Sequence, residues 1–497
     1  MSVGGVGARS LLLTKSLVDM RSQLGDLQRQ LATGKKSSTY AGIGLDRGLT
    51  VGLRSHLSAM KSYGDTITNV DVRLELAQST LSRVAELGRE IKAAAAPVNS
   101  AGPEIMQRQA VSSLGEIFGL LNTQAGDRYL YSGLAADTPS VETLDHILDG
   151  DGARAGLKQI VSERNQADLG ASGLGRLVVT KPTVTSVQVA EDVAASPFGF
   201  KLDAITTTLT GATVTGPAGA PPAMSVDLGA VNPNAGENVK FTFTLPDGSS
   251  ETLTLTATAS TTPAAGEFTI APTSDVTATN LQNALTTALG TLADTALAAA
   301  SAIKASSDFF DIDAANPPQR VAGPPFNTAT AMVNGTAANT VTWYTGEAGA
   351  SSARSTATAK VDQDIGVSYG LRANEEGIRW QVQQIAALAA ISMPDTDPDT
   401  SARSAALNDR IRSGLDVPPG TQSIEAIQAE IAGAQTTLQS AKDRHQQTNA
   451  TLSDLLQSVE GVSNEDVAAQ ILAMQTSLQA SLQTTAILYK TSILNYL

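Results

Sequence analysis

The sequence predicts an α+β protein of several domains, in which long N- and C-terminal α-helices pair as a coiled-coil bundle around a β-rich central insertion. Near both ends of the chain, apolar residues recur at alternating steps of four and three, the spacing of a coiled-coil seam. Between them lie Thr-, Gly- and Pro-rich segments with the alternating pattern of strands. At 497 residues the chain is also too long for one hydrophobic core.

The first apolar seam lies between Leu13 and Leu31. A lone helix cannot bury so narrow a stripe, so we expect partner helices to cover it. We predict a helix from about Ser10 to Ala32, which ends because Gly34 can supply a left-handed cap. The glycine-rich residues 1–9 are predicted to be disordered in the free protein. The predicted interface positions here are Leu13, Leu17, Met20, Leu24, Leu27 and Leu31.

Three further stripes keep the same rhythm, at 63–91, where Gly88 takes one seam position, at 424–459 and from 467 to the last residue. Such a stripe is more often the core of one chain than an assembly surface. These stripes are narrow, long and repeated, which favours assembly. The C-terminal positions predicted for the interface are Leu452, Leu455, Val459, Ile471, Leu478, Leu482, Tyr489, Ile493 and Leu497.

The middle of the chain predicts mainly strands. The clearest signal is a hairpin of Val239–Leu245 and Thr252–Thr258 across a Pro-Asp-Gly turn. We interpret residues 211–233 as a linker or loop, and Val341–Tyr344 as a strand. The predicted division is an N-terminal helical region 1–140, a mixed β region 141–205, a central β-rich outer domain with a helix 206–300, β segments 301–370 and a C-terminal helical region 371–497.

Composition disfavours several classes of function. The formal net charge of −14 disfavours a nucleic-acid partner, and the lack of cysteine removes thiolate chemistry. None of the three histidines has a second His or Cys at ligand spacing; His445 occupies a seam position, where a register-setting role is the simpler interpretation. Asp149 and Asp151 suggest calcium, but Arg154 stands where an EF-hand loop needs glycine. We predict no enzyme activity, no cofactor and no metal site.

The sequence shows no pattern of a membrane segment or of a cleavable signal. Residues 1–16 lack a charged start followed by a continuous apolar run and a cleavage site. No stretch reaches the roughly 18 apolar residues that a membrane span requires. We therefore expect no membrane insertion and no cleavable signal peptide.

Three segments of the chain, at 31–36, 127–133 and 478–497, resemble segments of the bacterial flagellin and flagellar hook-associated protein 3 family. Leu31-Ala-Thr-Gly-Lys-Lys36 is similar to the L-x-[ST]-G-[KR] loop after the family's first helix. Asp127-Arg-Tyr-Leu-Tyr-Ser-Gly133, followed by Pro139, looks like the G-R-Y-x-F-x-G…P segment of the hook-associated branch. Leu478-Gln-Ala-Ser-Leu482 and the last five residues resemble the family's ending. The resemblance covers about residues 1–140 and 340–497. The chain differs from its relatives at 37–42 and has a larger middle than a minimal junction protein needs.

The resemblance implies a structural subunit of the bacterial flagellum, whose terminal helices form an inner coiled-coil tube and whose variable middle points outward. The implied partners are further copies of the chain, other hook-associated proteins, flagellin and an export chaperone. The implied location is extracellular, on the flagellum, reached through type III export. The hook–filament junction branch fits best. A filament-forming flagellin is the alternative, and a secreted adhesin or binding module is a further one.

Overall fold

The computed structural model describes residues 4–97, 102–312, 317–347 and 349–494. The fold is α+β, as predicted, with long helices in the N- and C-terminal parts and several small sheets. The chain divides into two compact units, each built from separate stretches of sequence. Unit 1 comprises residues 1–70, 359–367 and 436–497, and unit 2 comprises residues 71–358 and 368–435.

Three helices make up most of the N-terminal region: α1 (Gly4–Thr33), α2 (Arg47–Ala94) and α3 (Pro103–Leu121). The predicted end of α1 is confirmed, because Gly34 has a φ of 67° and its amide donates to the carbonyl of Gln30 at 2.7 Å. The helix begins earlier than predicted and includes part of the glycine-rich start. Extending an existing helix gains one hydrogen bond per residue that is fixed, so poor helix formers can join a strong neighbour.

After α3, Tyr129 and Tyr131 stand at alternate positions, a spacing typical of a strand, but the structure places them differently. Two short antiparallel strands, β1 (Gln124–Ala125) and β2 (Arg128–Tyr129), pair here. Tyr131 turns inward instead and is fully buried, with its hydroxyl donating to the carbonyl of Ala77 at 3.1 Å. A buried phenol needs such a partner, and this hydrogen bond attaches the segment to α2.

The region predicted as mixed β contains two helices, α4 (Leu144–Asp149) and α5 (Leu157–Leu169). The inward face of α5 carries Arg164 and Asp168, which pair at 2.8 Å and are almost completely buried. Charged residues on the buried face interrupt the apolar stripe by which a helix is recognised. The prediction was wrong for 144–169 for this reason.

Two four-stranded sheets share one hydrophobic core with α6 (Ser274–Leu292). The strands are β3 (Leu177–Thr180), β4 (Ser186–Glu191), β5 (Lys201–Thr207), β6 (Thr213–Ala218), β7 (Ala223–Asp227), β8 (Asn238–Thr244), β9 (Ser250–Thr258) and β10 (Glu267–Thr269). The first sheet has the order β3-β4-β7-β6 and is antiparallel. The second has the order β10-β9-β8-β5, with β10 parallel to β9 and the other neighbours antiparallel.

The predicted hairpin is confirmed as β8 and β9, whose register places Phe241 opposite Leu253. Gly248 takes a φ of 82° in the turn, a conformation that a glycine adopts without a steric cost. The prediction of a linker or loop at 211–233 is wrong, since these residues contain β6 and β7. Proline is tolerated in β6 because this strand lies at the edge of its sheet.

The segment 341–344 does not form the strand that was predicted there. Of residues 341–344, all described, none belongs to a strand. The buried Trp343 instead donates its indole N–H to the carbonyl of Phe310 at 3.0 Å.

The remaining elements begin with a π-helical turn, Ala293–Leu297, which follows α6. The others are α7 (Ala298–Phe310), β11 (Gln319–Val321), β12 (Met332–Asn334), β13 (Thr358–Lys360), β14 (Gly366–Ser368), α8 (Glu376–Ala390), α9 (Thr400–Gly414), α10 (Ile424–Glu460) and α11 (Asn464–Leu494).

Glu375, directly before α8, gives unit 2 a pH dependence of its own. Burial raises the pKa of this carboxyl above its ordinary value of 4.5, against the opposing effect of Arg354, whose Nη2 lies 2.7 Å away. The nearby carboxylate of Glu430 acts in the same direction as burial. A raised folded-state pKa means that protonation of this group stabilises the fold at acid pH and that this stabilisation is lost as the pH rises.

We therefore expect the stability of the wild-type protein relative to Glu375→Gln to fall as the pH rises from about 4.5 through the raised pKa of Glu375. Urea unfolding monitored by tryptophan fluorescence measures this difference, because both tryptophans lie in unit 2. Glu376→Gln, at an exposed neighbouring position, is the control. A difference that is the same at every pH, or that grows as the pH rises, would contradict the prediction.

Candidate assembly surface

Helices α1 and α11 pack against each other in unit 1 and run antiparallel. The carbonyl of Gly34, directly after α1, accepts a hydrogen bond of 3.1 Å from the amide of Val462, just before α11. Lys35 and Gly461 form an antiparallel bridge at the same place. The carboxyl end of α1 therefore lies beside the amino end of α11, and one helix of the same chain partly covers the predicted seam.

Lys36, three residues after α1, connects this junction to the end of α10 through two hydrogen bonds. Its Nζ donates to the carbonyl of Val459 and its amide donates to the carbonyl of Glu460, both at 2.7 Å. These are carbonyls of the last turn of α10, which have no partner within the helix. A cation at this position also offsets the negative end of the helix dipole. The Gly-Lys-Lys segment thus has a structural role in unit 1: it caps α10.

A buried carboxylate lies beside the same junction. The side chain of Glu460 is 7% exposed, and one of its oxygens lies 2.7 Å from Nη2 of Arg54 and 3.8 Å from Nζ of Lys35. The hydrogen bond to Glu460, and a second one to the hydroxyl of Tyr40 at 3.1 Å, raise the pKa of Arg54 above its ordinary value. The sequence carried no signal for this cluster, because Arg54 and Glu460 are 406 residues apart.

The pairing with α11 leaves the predicted seam of α1 incompletely covered. Five of its six positions are half-buried, and Leu31 is 39% exposed. Other apolar residues of the same helix are mostly exposed to solvent: Leu11 is 74% exposed, Leu12 68% and Val18 61%. The half-buried positions are Leu13, Leu17, Met20, Leu24 and Leu27.

The predicted C-terminal positions show the same partial burial. Leu452, Val459, Ile471 and Leu478 are half-buried, whereas Leu455 is 46% exposed and Leu482 44% exposed. Leu472, which was not among the predicted positions, is 65% exposed. The side chains of Tyr489 and Ile493, and the whole of Leu497, lie outside the part that the structure describes. Exposed apolar surface of this extent on neighbouring helices is typical of an interaction site.

The stripes of α2 and α10 are buried in contrast. In unit 1, Ile67 of α2 and Leu438 of α10 are each 1% exposed. In unit 2, Leu81 of α2 and Ile427 of α10 are completely buried. Their burial within one chain follows the commoner interpretation of an apolar stripe. The sequence alone did not distinguish these stripes from those of α1 and α11.

The glycine that interrupts the α2 stripe makes room for α8. A Cβ atom added at Gly88 would lie 2.5 Å from Cδ of Gln381, closer than carbon atoms can approach without displacement. The missing side chain therefore leaves room for the amide group of Gln381, whose Nε2 donates to the carbonyl of Val84. We do not assign this position to an assembly surface.

His445 lies in unit 1 as a buried residue of α10, 4% exposed. Its ring centroid is 5.7 Å from that of Tyr63, and its Nε2 lies 3.4 Å from a carboxylate oxygen of Asp362. The hydrogen bond from Arg444 is the main cause that lowers the pKa of Asp362. The side chain of His445 therefore points from α10 toward α2 within unit 1, at an interior position such as a seam residue occupies.

The residues weighed for calcium have other partners. Asp149 pairs with Lys158 at 2.8 Å, and Asp151 pairs with Arg154 at 2.7 Å. The amide and side chain of Arg154 lower the pKa of Asp151. Within the described ranges, no three His, Cys, Asp or Glu side chains converge as metal ligands would. The described helices also include none that is both long and apolar enough to cross a bilayer.

Comparison with the models of known protein families gave no match, and comparison with curated proteins gave none either.

Proposed function

We propose that this chain is a structural subunit of the bacterial flagellum and assembles through α1 and α11, with the hook–filament junction as its preferred place. The observation that carries the proposal is the partial exposure of the α1 seam, which α11 covers only in part. The resemblance of residues 1–140 and 340–497 to the flagellin and hook-associated protein 3 family adds to it. The proposed partners are further copies of this chain and neighbouring flagellar proteins, outside the cell.

The energetics favour many weak contacts that act together. Full burial of one leucine side chain contributes about 1.5–3 kcal/mol, and the half-buried seam positions have obtained only part of this. The association of two proteins costs on the order of 4–15 kcal/mol, because translational and rotational freedom is lost. One leucine cannot offset that cost, whereas the six seam positions and the exposed Leu11, Leu12 and Val18 together can. Neighbouring copies would therefore have to cover α1 along most of its length.

In the proposed subunit, α1 and α11 are the coiled-coil pair, and the β-rich insertion consists of β3 to β10 with α6. The two sheets share their core with α6, so this part needs no neighbour to bury its apolar residues. The apolar assembly surface is therefore assigned to unit 1.

The test is to mix the purified full chain with isolated hooks and to examine them by negative-stain electron microscopy. We expect one added layer at the hook tip, because a junction protein would form a single layer of subunits there and would not polymerise further. Hooks alone, and hooks with the Leu24→Asp variant, are the controls.

Long filaments from the protein alone would instead assign the chain to the filament-forming members of the family. Neither a hook-tip layer nor a polymer, with a correctly folded protein, would contradict the flagellar proposal itself.

A further inference from the structure

A cleft in unit 2 is lined by two arginines and two tyrosines. It has a volume of about 320 Å³ and lies between α2, β2 and the residues on either side of 357 and 370. Arg73 projects from α2, Arg128 and Tyr129 belong to β2, and Tyr369 follows β14. No Asp or Glu is among the described residues that line this cleft.

The two arginines are exceptional in their unit. Unit 2 contains 15 arginines, and 12 of them lie within ion-pair distance of a carboxylate. Among the described residues, the three without a carboxylate partner are Arg73, Arg89 and Arg128, and two of these three line the same cleft. In so acidic a chain, this coincidence requires an explanation.

The unused hydrogen-bonding groups in the cleft match one kind of ligand. Arg73 donates to the hydroxyl of Tyr369 at 3.3 Å. The guanidinium of Arg128 makes no hydrogen bond within the described part of the chain, although its backbone pairs with that of Ala125. Guanidinium groups bind carboxylates through short, charge-assisted and often paired hydrogen bonds. Tyrosine hydroxyls can donate further bonds to the same oxygens.

We propose that this cleft binds a carboxylate group, and that in the flagellar assembly the carboxylate belongs to an Asp or Glu side chain of a neighbouring copy. The second part rests on the proposed function, whereas the first does not. The chain supplies suitable groups, since it carries 48 acidic and 34 basic residues. Leu134, which lines the cleft and is 65% exposed, offers an apolar contact to a protein segment beside its acidic residue.

The site itself is tested on the dilute full chain with glutarate as the probe. Phenylglyoxal modifies accessible arginines, and peptide mass spectrometry measures the rate at each position. At a glutarate concentration of about four times the Kd, which fills about four-fifths of the sites, we expect modification of Arg73 and Arg128 to slow by roughly fivefold relative to sodium chloride of equal ionic strength. Arg89, exposed and on the same helix, should react at the same rate in both solutions. If each of the three arginines reacted at the same rate in glutarate as in sodium chloride, the proposed site would be overturned.

The source of the carboxylate is tested by assembly of the Arg73→Gln/Arg128→Gln variant, with Arg89→Gln as the matched control. We expect the double variant to need about tenfold more protein to assemble, because it lacks both charge-assisted contacts. Assembly at the wild-type concentration would exclude a neighbouring copy and, with glutarate protection, leave a free carboxylate as the ligand.

If the wild type does not assemble, the flagellar proposal and the neighbouring-copy source fail together. The glutarate experiment still decides the carboxylate site in that case, so the two failures are distinguishable.

Discussion

Replacing Leu24 with Asp should abolish assembly while leaving unit 2 folded. Leu24 is half-buried against the rest of unit 1, at the middle of the α1 seam. A neighbouring copy that covered the seam would have to bury the new carboxylate without a partner, at a cost of several kcal/mol. Since each 1.4 kcal/mol is a factor of ten, we expect the concentration needed for assembly to rise by at least about 100-fold.

The matched control is Gln23→Asp, which adds the same charge one residue away at an exposed position. It should assemble like the wild type. Electron microscopy measures assembly, and the tryptophan fluorescence of thermal unfolding measures unit 2, which holds both tryptophans. Normal assembly of Leu24→Asp would rule out α1 as an assembly helix. A shift in the tryptophan unfolding would instead show that the substitution acts on the fold.

Replacing Asp168 with Asn should lower the stability of unit 2 by about 3–5 kcal/mol, the usual cost of removing one partner from a buried ion pair. Asp168 is completely buried and accepts hydrogen bonds from Arg164 Nε at 2.8 Å, Ser301 Oγ at 2.7 Å and the amide of Gly199 at 2.8 Å. An amide cannot neutralise the buried guanidinium, and its NH₂ group would face a donor.

The Asp149→Asn variant is the control, because it removes the carboxylate of an exposed pair with Lys158. Its stability should change by less than about 1 kcal/mol, as is usual for surface ion pairs. Urea unfolding followed by tryptophan fluorescence compares the two variants. Equal stabilities would mean that the Arg164–Asp168 pair contributes no more than a surface pair does.

The sequence determined those elements whose cause is local. Gly34 ends α1 because its left-handed conformation and a hydrogen bond to Gln30 lie within one turn. The hairpin of β8 and β9 follows from alternating apolar residues on either side of a Pro-Asp-Gly turn. The four–three rhythm correctly indicated long helices in both terminal parts. In each case the interacting residues are close in the chain, so a short window contains the whole physical reason.

The tertiary structure decided which surfaces are buried and which polar residues belong to the core. The stripes of α2 and α10 are buried within the chain, whereas α11 leaves the similar stripe of α1 half-exposed. The rhythm is the same in both, and the difference lies in the partners available. Arg164 is likewise stable inside because Asp168 and residues distant in the chain surround it. Burial is a property of partners far apart in sequence, and no local pattern can specify it.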